Sequence, residues 1–276
     1  MLVGPTDRDW ETIHLDEFDM HEPLSPNQYL LLTSNANPKK TCLARFVDTQ
    51  SPLKKINSAS IPDWNIKPRN KEQSFAIDML MNPEIKLVSL IGRAGSGKTL
   101  CAIAAGLQQT IGMDKHKNKY SRLIVSRPVQ PMGKDIGFLP GTMEEKMLPW
   151  LMPIQDNLKY LMGDKSSLEL YMQKGKIEIE ALTYIRGRSI SDAFVIIDEA
   201  QNLTRHEIKT IITRIGENTK IILTGDIEQI DNIYVNETSD GLAHAVENFK
   251  DYKIAGHITF RKGERSELAT LASKVL

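Results

Sequence analysis

The apolar positions along this chain change their spacing near residue 70. Beyond that point short apolar runs alternate with stretches in which apolar residues recur every three or four positions. The runs at 86–91, 122–126, Ala193–Ile197 and 220–224 predict strands, and the unbroken Ala193–Ile197 run reads as a strand buried on both faces. Residues 176–181 alternate cleanly and predict another strand; 252–260 supplies the last. Helices are predicted over Lys71–Met81, with Phe75, Ile77, Met79 and Leu80 apolar and Pro83 beyond the end, over 100–107, and over Gly241–Phe249. Thr204 and Glu207 form a capping box that opens a helix with Ile208, Ile211, Ile212 and Ile215 on one face. The insertion at 142–172, with Pro149, Trp150, Leu151 and Leu158, predicts amphipathic helices whose apolar positions belong to the core or a subunit interface. A short helix is expected after the last strand. This alternation predicts an α/β fold of three layers, a mostly parallel sheet with helices on both faces.

Residues 1–65 follow another pattern. The first two dozen carry Asp7, Asp9, Glu11, Asp16, Glu17, Asp19 and Glu22 and show no sustained periodicity. Residues 28–33 and 41–47 read as two short strands joined by the turn-rich 34–40, which predicts a small β-hairpin. An isolated hairpin is marginal in water, so it must pack on something larger. Pro52, Pro62 and Pro68 punctuate the passage into the main domain. The expected division is 1–65, an acidic segment with a hairpin connector, and 66–276, the main domain.

The first candidate chemistry lies between the run at 86–91 and the helix at 100–107: Gly92-Arg93-Ala94-Gly95-Ser96-Gly97-Lys98-Thr99. Strand, glycine loop, Lys-Thr and helix in that order make the phosphate-binding P-loop. The glycines let the backbone close around phosphate oxygens with N–H groups inward, and the helix start, through Leu100, adds its unpaired N–H groups and dipole. Lys98 is placed to reach the β- and γ-phosphates, and the Thr99 hydroxyl to ligate magnesium. A glycine loop that merely caps a strand would not need the full eight-residue pattern. The pattern implies binding of a nucleoside triphosphate.

Two further strand ends carry acidic residues. Asp198 and Glu199 follow the buried run at Ala193–Ile197, about a hundred residues after the P-loop, as a Walker B element does. Asp198 would hold magnesium opposite Thr99, and Glu199 would orient or deprotonate the attacking water; in isolation the pair would read as surface carboxylates. At the next strand end, Thr224-Gly225-Asp226-Ile227-Glu228-Gln229 places Gln229 to sense the γ-phosphate, with Asp226 holding the loop or contacting the water. Gln73, at the start of the helix before the P-loop strand, is a candidate to read an adenine edge, although alone it reads as a solvated helix residue. Arg261 and Arg265 are candidates for an arginine finger, although a solvated terminal helix carries such residues too.

Composition narrows the partners. Of 276 residues, 41% are apolar, enough for a sizeable core. Lysine plus arginine numbers 35 and aspartate plus glutamate 35, so no global basic field advertises nucleic acid, though a local basic rim would not show in the total. Cys42 and Cys101 have no metal-ligand spacing and suggest a reducing compartment. With no apolar run of spanning length and no leader-like opening, the expectation is a soluble cytoplasmic protein with no membrane partner.

Taken together these residues resemble the PhoH-like ATPase family. The matching stretches are 127–141 (Arg-Pro-Val-Gln-Pro-Met-Gly-Lys-Asp-Ile-Gly-Phe-Leu-Pro-Gly), 184–189 (Tyr-Ile-Arg-Gly-Arg-Ser), 198–204 (Asp-Glu-Ala-Gln-Asn-Leu-Thr) and 224–229, with Asn70 and Gln73 ahead of the P-loop. The resemblance covers roughly residues 65–276. It implies a RecA-like core, ATP with magnesium, an RNA-linked helicase-type activity, and a homo-oligomeric ring, a hexamer, in which Arg265 reaches a neighbour's nucleotide. It also favours the adenine role for Gln73. A segment like 24–30 joins nuclease to ATPase in the subgroup that carries a PIN ribonuclease domain. This chain starts near that connector, so nuclease activity is not expected from these residues. The 127–141 stretch, with Arg127 and Lys134, reads as an exposed loop beside the nucleotide or lining a strand-binding surface, and Arg186 and Arg188 as contacts to RNA phosphates; the alternative is that these arginines cap and brace the sheet. The rivals to an RNA-coupled ATPase are a phosphotransferase on the same P-loop and a nucleotide-regulated oligomeric binding module with slow, RNA-independent turnover.

Overall fold

The computed structural model describes residues 2–4, 23–34, 37, 39–57, 60–128, 143–185, 189–232, 234–235 and 240–261. The expected hairpin is the centre of a four-stranded sheet. Strands β1 (Leu2–Gly4), β2 (Tyr29–Ser34), β3 (Thr41–Arg45) and β4 (Lys54–Lys55) pair in that order, β1 parallel to β2 and the others antiparallel. Leu30, Leu32, Cys42, Ala44, Phe46 and Leu53 give it a small core of its own.

A polar relay docks this sheet on the main domain. Asn27, left-handed at φ 60°, donates to the carbonyls of Lys253 and Ala255 at 2.8 Å each and accepts from Arg45 at 3.2 Å. The Tyr29 hydroxyl donates to Asp78 at 2.7 Å, and burial holds that phenol well above its usual range. The two added strands give the hairpin the support that it would lack alone, and these bonds, the Tyr29–Phe75 ring contact and the packing of Leu43 and Ile56 on the main core fix it in place.

The main domain follows the predicted alternation. In chain order it holds α1 (Lys71–Met81), β5 (Leu87–Gly92), α2 (Lys98–Thr110), β6 (Arg122–Arg127), α3 (Met143–Met162), α4 (Lys165–Gln173), β7 (Ile177–Ala181), α5 (Leu182–Ile185), β8 (Ala193–Ile197), α6 (Arg205–Ile212), β9 (Lys220–Gly225), α7 (Gly241–Phe249) and β10 (Ala255–Phe260). The strands form one sheet in the order β10-β5-β9-β8-β6-β7, parallel throughout. Side chains alternate between two cores, as strand geometry requires. Val88, Leu90, Phe194 and Ile196 meet α1 and α2 on one face; Leu87, Ile91, Val195 and Ile197 meet α6 and α7 on the other. The expected three-layer α/β P-loop fold is the one observed.

The insertion joins the core: Leu151, Ile154, Leu158 and Leu168 are buried there, and α3 carries Pro149 and Pro153 within it. The capping box at α6 has both bonds in place, and Ile208 and Ile211 are buried. Lys220 is fully buried, its ammonium 2.8 Å from the Met79 carbonyl and 2.7 Å from that of Asn82. It closes the carboxyl end of α1, and burial pushes its pKa well below the usual lysine value. No described helix is long and apolar enough to cross a membrane. The expected terminal helix, and with it Arg265, lies outside the described residues, as do Lys134, Arg186 and Arg188.

Candidate nucleotide site

Strand order decides what meets what. Strand β9 lies between β5 and β8, so the loop leaving β9 stands between the P-loop and the acidic strand end. All three loops open at the carboxyl edge of the sheet, where ligands of open α/β folds bind.

The P-loop closes over the start of α2. Gly97 is the N-cap at φ 88°, a backbone that side chains rarely adopt, and it turns the loop into the helix. Gly92, the last residue of β5, is buried, while Ala94 and Gly95 are exposed at the loop tip. Ser96 is buried, and its N–H donates to the Arg93 carbonyl at 3.2 Å. Lys98 is buried with its ammonium 3.3 Å from that same carbonyl, inside the arch. Thr99 and Leu100 are half-buried in the first turn of α2.

Asp198 faces this turn from across the sheet. Its Oδ1 accepts from the Thr99 hydroxyl at 2.8 Å and from the Thr224 hydroxyl at 2.5 Å. The fold thus brings Thr99 and Asp198 together. Among the described residues no group of three or more His, Cys, Asp or Glu side chains is gathered to hold a metal. One carboxylate and one hydroxyl suit magnesium, which takes few protein ligands and completes its shell with phosphates and water.

Gln201 joins the three loops, a role not anticipated from the sequence. It is wholly buried, and its Nε2 donates to Glu199 Oε2 at 2.6 Å and to the Gln229 carbonyl at 2.9 Å. Its Oε1 accepts the Asp226 N–H at 3.1 Å. Asp226 in turn accepts the Ala94 N–H of the P-loop at 3.1 Å. Gly225 makes the approach possible, since a Cβ there would sit 2.7 Å from Gln201 Oε1. Outside this chain of bonds, Arg93 grips Glu228 with two N–H groups, at 2.7 and 3.2 Å, on the exposed rim.

Glu199 sits at φ 54°, left-handed although it is not glycine. Its Oε1 accepts from Arg127 at 3.1 Å. The Gln229 side chain is exposed, close in sequence to a loop whose backbone Gln201 anchors. Gln73 differs from its expected use. It is buried, its Nε2 donating to the Ser96 carbonyl at 3.1 Å and its Oε1 accepting from the Arg69 N–H at 2.8 Å. In this structure its amide braces the P-loop, where the sequence pointed to an adenine edge. Arg261 is exposed just past β10, one position beyond the Phe260–Gly92 pair.

Comparison with known proteins gives a concordant result. A sequence model described as PhoH-like protein matches residues 65–275. Protein PhoH2 of Bacillus subtilis (strain 168) is 48% identical over 254 residues, covering 91% of this chain and 57% of that protein. Protein PhoH2 of Thermobispora bispora is 40% identical over 214 residues, covering 77% of this chain and 48% of its own length. The chain thus spans about half the length of the curated relatives it matches. Among solved structures, unliganded Pif1 from Bacteroides sp overlaps 75% of this chain and 45% of its own at a TM-score of 0.34 and 14% identity. The Pyrococcus furiosus Hef helicase domain overlaps 68% of this chain and 38% of its own at 0.38 and 11%. Overlaps that loose carry no argument about activity.

Proposed function

This chain belongs to the family of PhoH-like proteins, and we propose that it is a magnesium-dependent ATP hydrolase that couples turnover to RNA remodelling. The observation that supports this most is the meeting of Thr99 and Asp198 at 2.8 Å, which joins the P-loop to the acidic strand end. Magnesium held by these two oxygens would neutralise charge on the β- and γ-phosphates. The N–H groups of Gly95 and of Gly97 to Leu100, together with Lys98, bind the triphosphate, while those of Ala94 and Ser96 hold the loop's shape through Asp226 and the Arg93 carbonyl. Glu199 accepts the proton of the water that attacks the γ-phosphorus, the bond to the β–γ bridging oxygen breaks, and ADP and phosphate leave. Gln229 senses the γ-phosphate from the β9 loop.

The finer parts of the reading rest on the family resemblance. They are the RNA partner, a homo-oligomeric ring such as a hexamer, an Arg265 finger across its interface, adenine recognition near Gln73, and work in the cytoplasm as two units, 1–65 and 66–276. The test is steady-state hydrolysis of ATP with magnesium, with and without single-stranded RNA, beside Lys98→Ala. A rate that RNA raises and the variant loses supports the reading. A slow rate indifferent to RNA refutes the coupling and leaves a nucleotide-switched binding module.

A further inference from the structure

The hydrogen bonds around Glu199 hold it from two sides. Gln201 is a fixed partner, wholly buried and bonded in three directions. Arg127 is a different kind of partner. Its guanidinium touches Glu199 through one NH2 group at 3.1 Å, and its side chain is 22% exposed. A guanidinium has five N–H donors arranged as a fork, and among the described residues that of Arg127 makes this one contact, which leaves the other donors for a further acceptor. The left-handed backbone at Glu199 adds a further sign of constraint, because such strain persists only where the surroundings dictate the position.

The sheet order says which acceptor Arg127 can meet. Arg127 ends β6, and β8 and β9 separate β6 from the P-loop strand β5. Three strand spacings put the ends of β5 and β6 roughly 14 Å apart. Arg127 therefore stands on the flank of Glu199 turned away from the triphosphate, with Glu199 between the two. A γ-phosphate in the P-loop is taken by Lys98 and the loop N–H groups on the other side. The acceptor that matches a part-exposed guanidinium on the outer flank is a phosphate of a second ligand, and a polynucleotide backbone supplies such phosphates in series.

We infer that Arg127 is a positioning residue that restrains Glu199 until a backbone phosphate of single-stranded RNA draws the guanidinium away. The inference rests on the proposed role of Glu199 in hydrolysis and names how RNA reaches it. With Arg127 on Oε1 and Gln201 on Oε2, each carboxylate oxygen already accepts a donor. Removal of Arg127 leaves the Gln201 bond as a pivot and lets Oε1 turn from the outer flank toward the triphosphate and the attacking water. A part-exposed ion pair of this kind restrains its partner by about a factor of five.

The test compares wild type, Arg127→Ala and Arg127→Lys in magnesium–ATP hydrolysis, with and without single-stranded oligouridine. For Arg127→Ala the expected result is a basal kcat raised about fivefold, a KM for ATP within about twofold of wild type, and no further rise with oligouridine. Arg127→Lys keeps the charge, retains a low basal rate and checks folding. The double variant Arg127→Ala with Glu199→Gln stays at the Glu199→Gln level, which shows that the gain passes through Glu199. A basal kcat at or below wild type in Arg127→Ala, with unchanged thermal melting, overturns the restraint; so does stimulation by oligouridine that survives the substitution. If wild type ignores oligouridine, the RNA half of the proposed function falls, while a raised rate in Arg127→Ala still upholds the restraint. If wild type hydrolyses no ATP, both fall together.

Discussion

Replacing Gln201 with leucine tests whether the three loops act as one unit. The side chains are close in volume, so the change removes polarity and little else. Three bonds go at once: the Asp226 N–H loses its acceptor, and the Gln229 carbonyl and Glu199 Oε2 lose a donor. The Asp226 N–H lies in a buried setting and cannot turn to water. An orphaned buried group of this kind costs about 1–3 kcal/mol. The Gln229 carbonyl and the Glu199 carboxylate are part-exposed and recover most of their loss from solvent. The sum is about 2–3 kcal/mol, a large share of an ordinary domain's stability but short of all of it. Thermal melting should fall by roughly 3–5 °C for a chain of this size. The catalytic effect should be larger in proportion, because a carboxylate misplaced by about 1 Å costs on the order of 10²-fold in rate. Urea unfolding and steady-state hydrolysis on the same preparation measure both. A Gln201→Leu protein that melts with wild type and keeps its kcat would show that the amide is a bystander.

Lys98→Ala should lower hydrolysis at least about 10²-fold, while Glu199→Gln should leave ATP bound but uncleaved; an active Glu199→Gln protein in single-turnover assays removes that residue from the role of base. Gly97→Ala forces a side chain into the left-handed region and sets a Cβ 2.9 Å from the Gln73 amide nitrogen. The backbone alone costs about 1–2 kcal/mol, so binding of a fluorescent ATP analogue should weaken by about five- to thirtyfold, and unchanged binding would contradict the loop geometry. Lys220 makes a prediction with a definite sign. Its folded pKa lies below its unfolded value, so between the two the unfolded chain binds more protons and stability rises with pH. The contribution is complete above the unfolded pKa near 10.5 and is lost as pH falls through the folded one. The stability of wild type relative to Lys220→Met, from urea midpoints at pH 7 to 10, should therefore climb with pH; a flat difference would mean the amine titrates normally.

Most of the fold was legible in the sequence because it rests on periodicity. Phe194 and Ile196 on one face, with Val195 and Ile197 on the other, can sit only in a strand covered twice, and the structure covers β8 twice. Helices α1 and α7 begin and end at the predicted residues, and Asn70 and Asp240 fix their starts by capping them through their side chains. The helix after the P-loop begins earlier than its apolar run, at Lys98, because Gly97 turns the chain within the motif. The strands added to the hairpin were not legible. Leu2–Gly4 is three residues long, and its pairing with Leu32–Ser34 is a long-range contact that local spacing does not encode.

The same limit explains the site. Local motifs named Lys98, Thr99, Asp198 and Glu199, since each is set by the few residues around it. The hub at Gln201 is a property of strand order: β9 must lie between β5 and β8 before an amide two residues past Glu199 can reach the Asp226 N–H and the Gln229 carbonyl. Two residues in the sequence bore on this without declaring it. Gly225 is glycine where the Gln201 oxygen needs room, and Gln201 itself is an amide in a position that a surface turn would leave to any polar residue. Gln73 shows the converse. Its place at the head of α1 was correct, but the direction of its amide depends on how closely Gly97 and Ser96 approach, and that distance exists only once the helix has packed against the loop. Side chains that a motif places by local backbone are thus readable from sequence, whereas those whose partners arrive from other strands are fixed only by the assembled sheet.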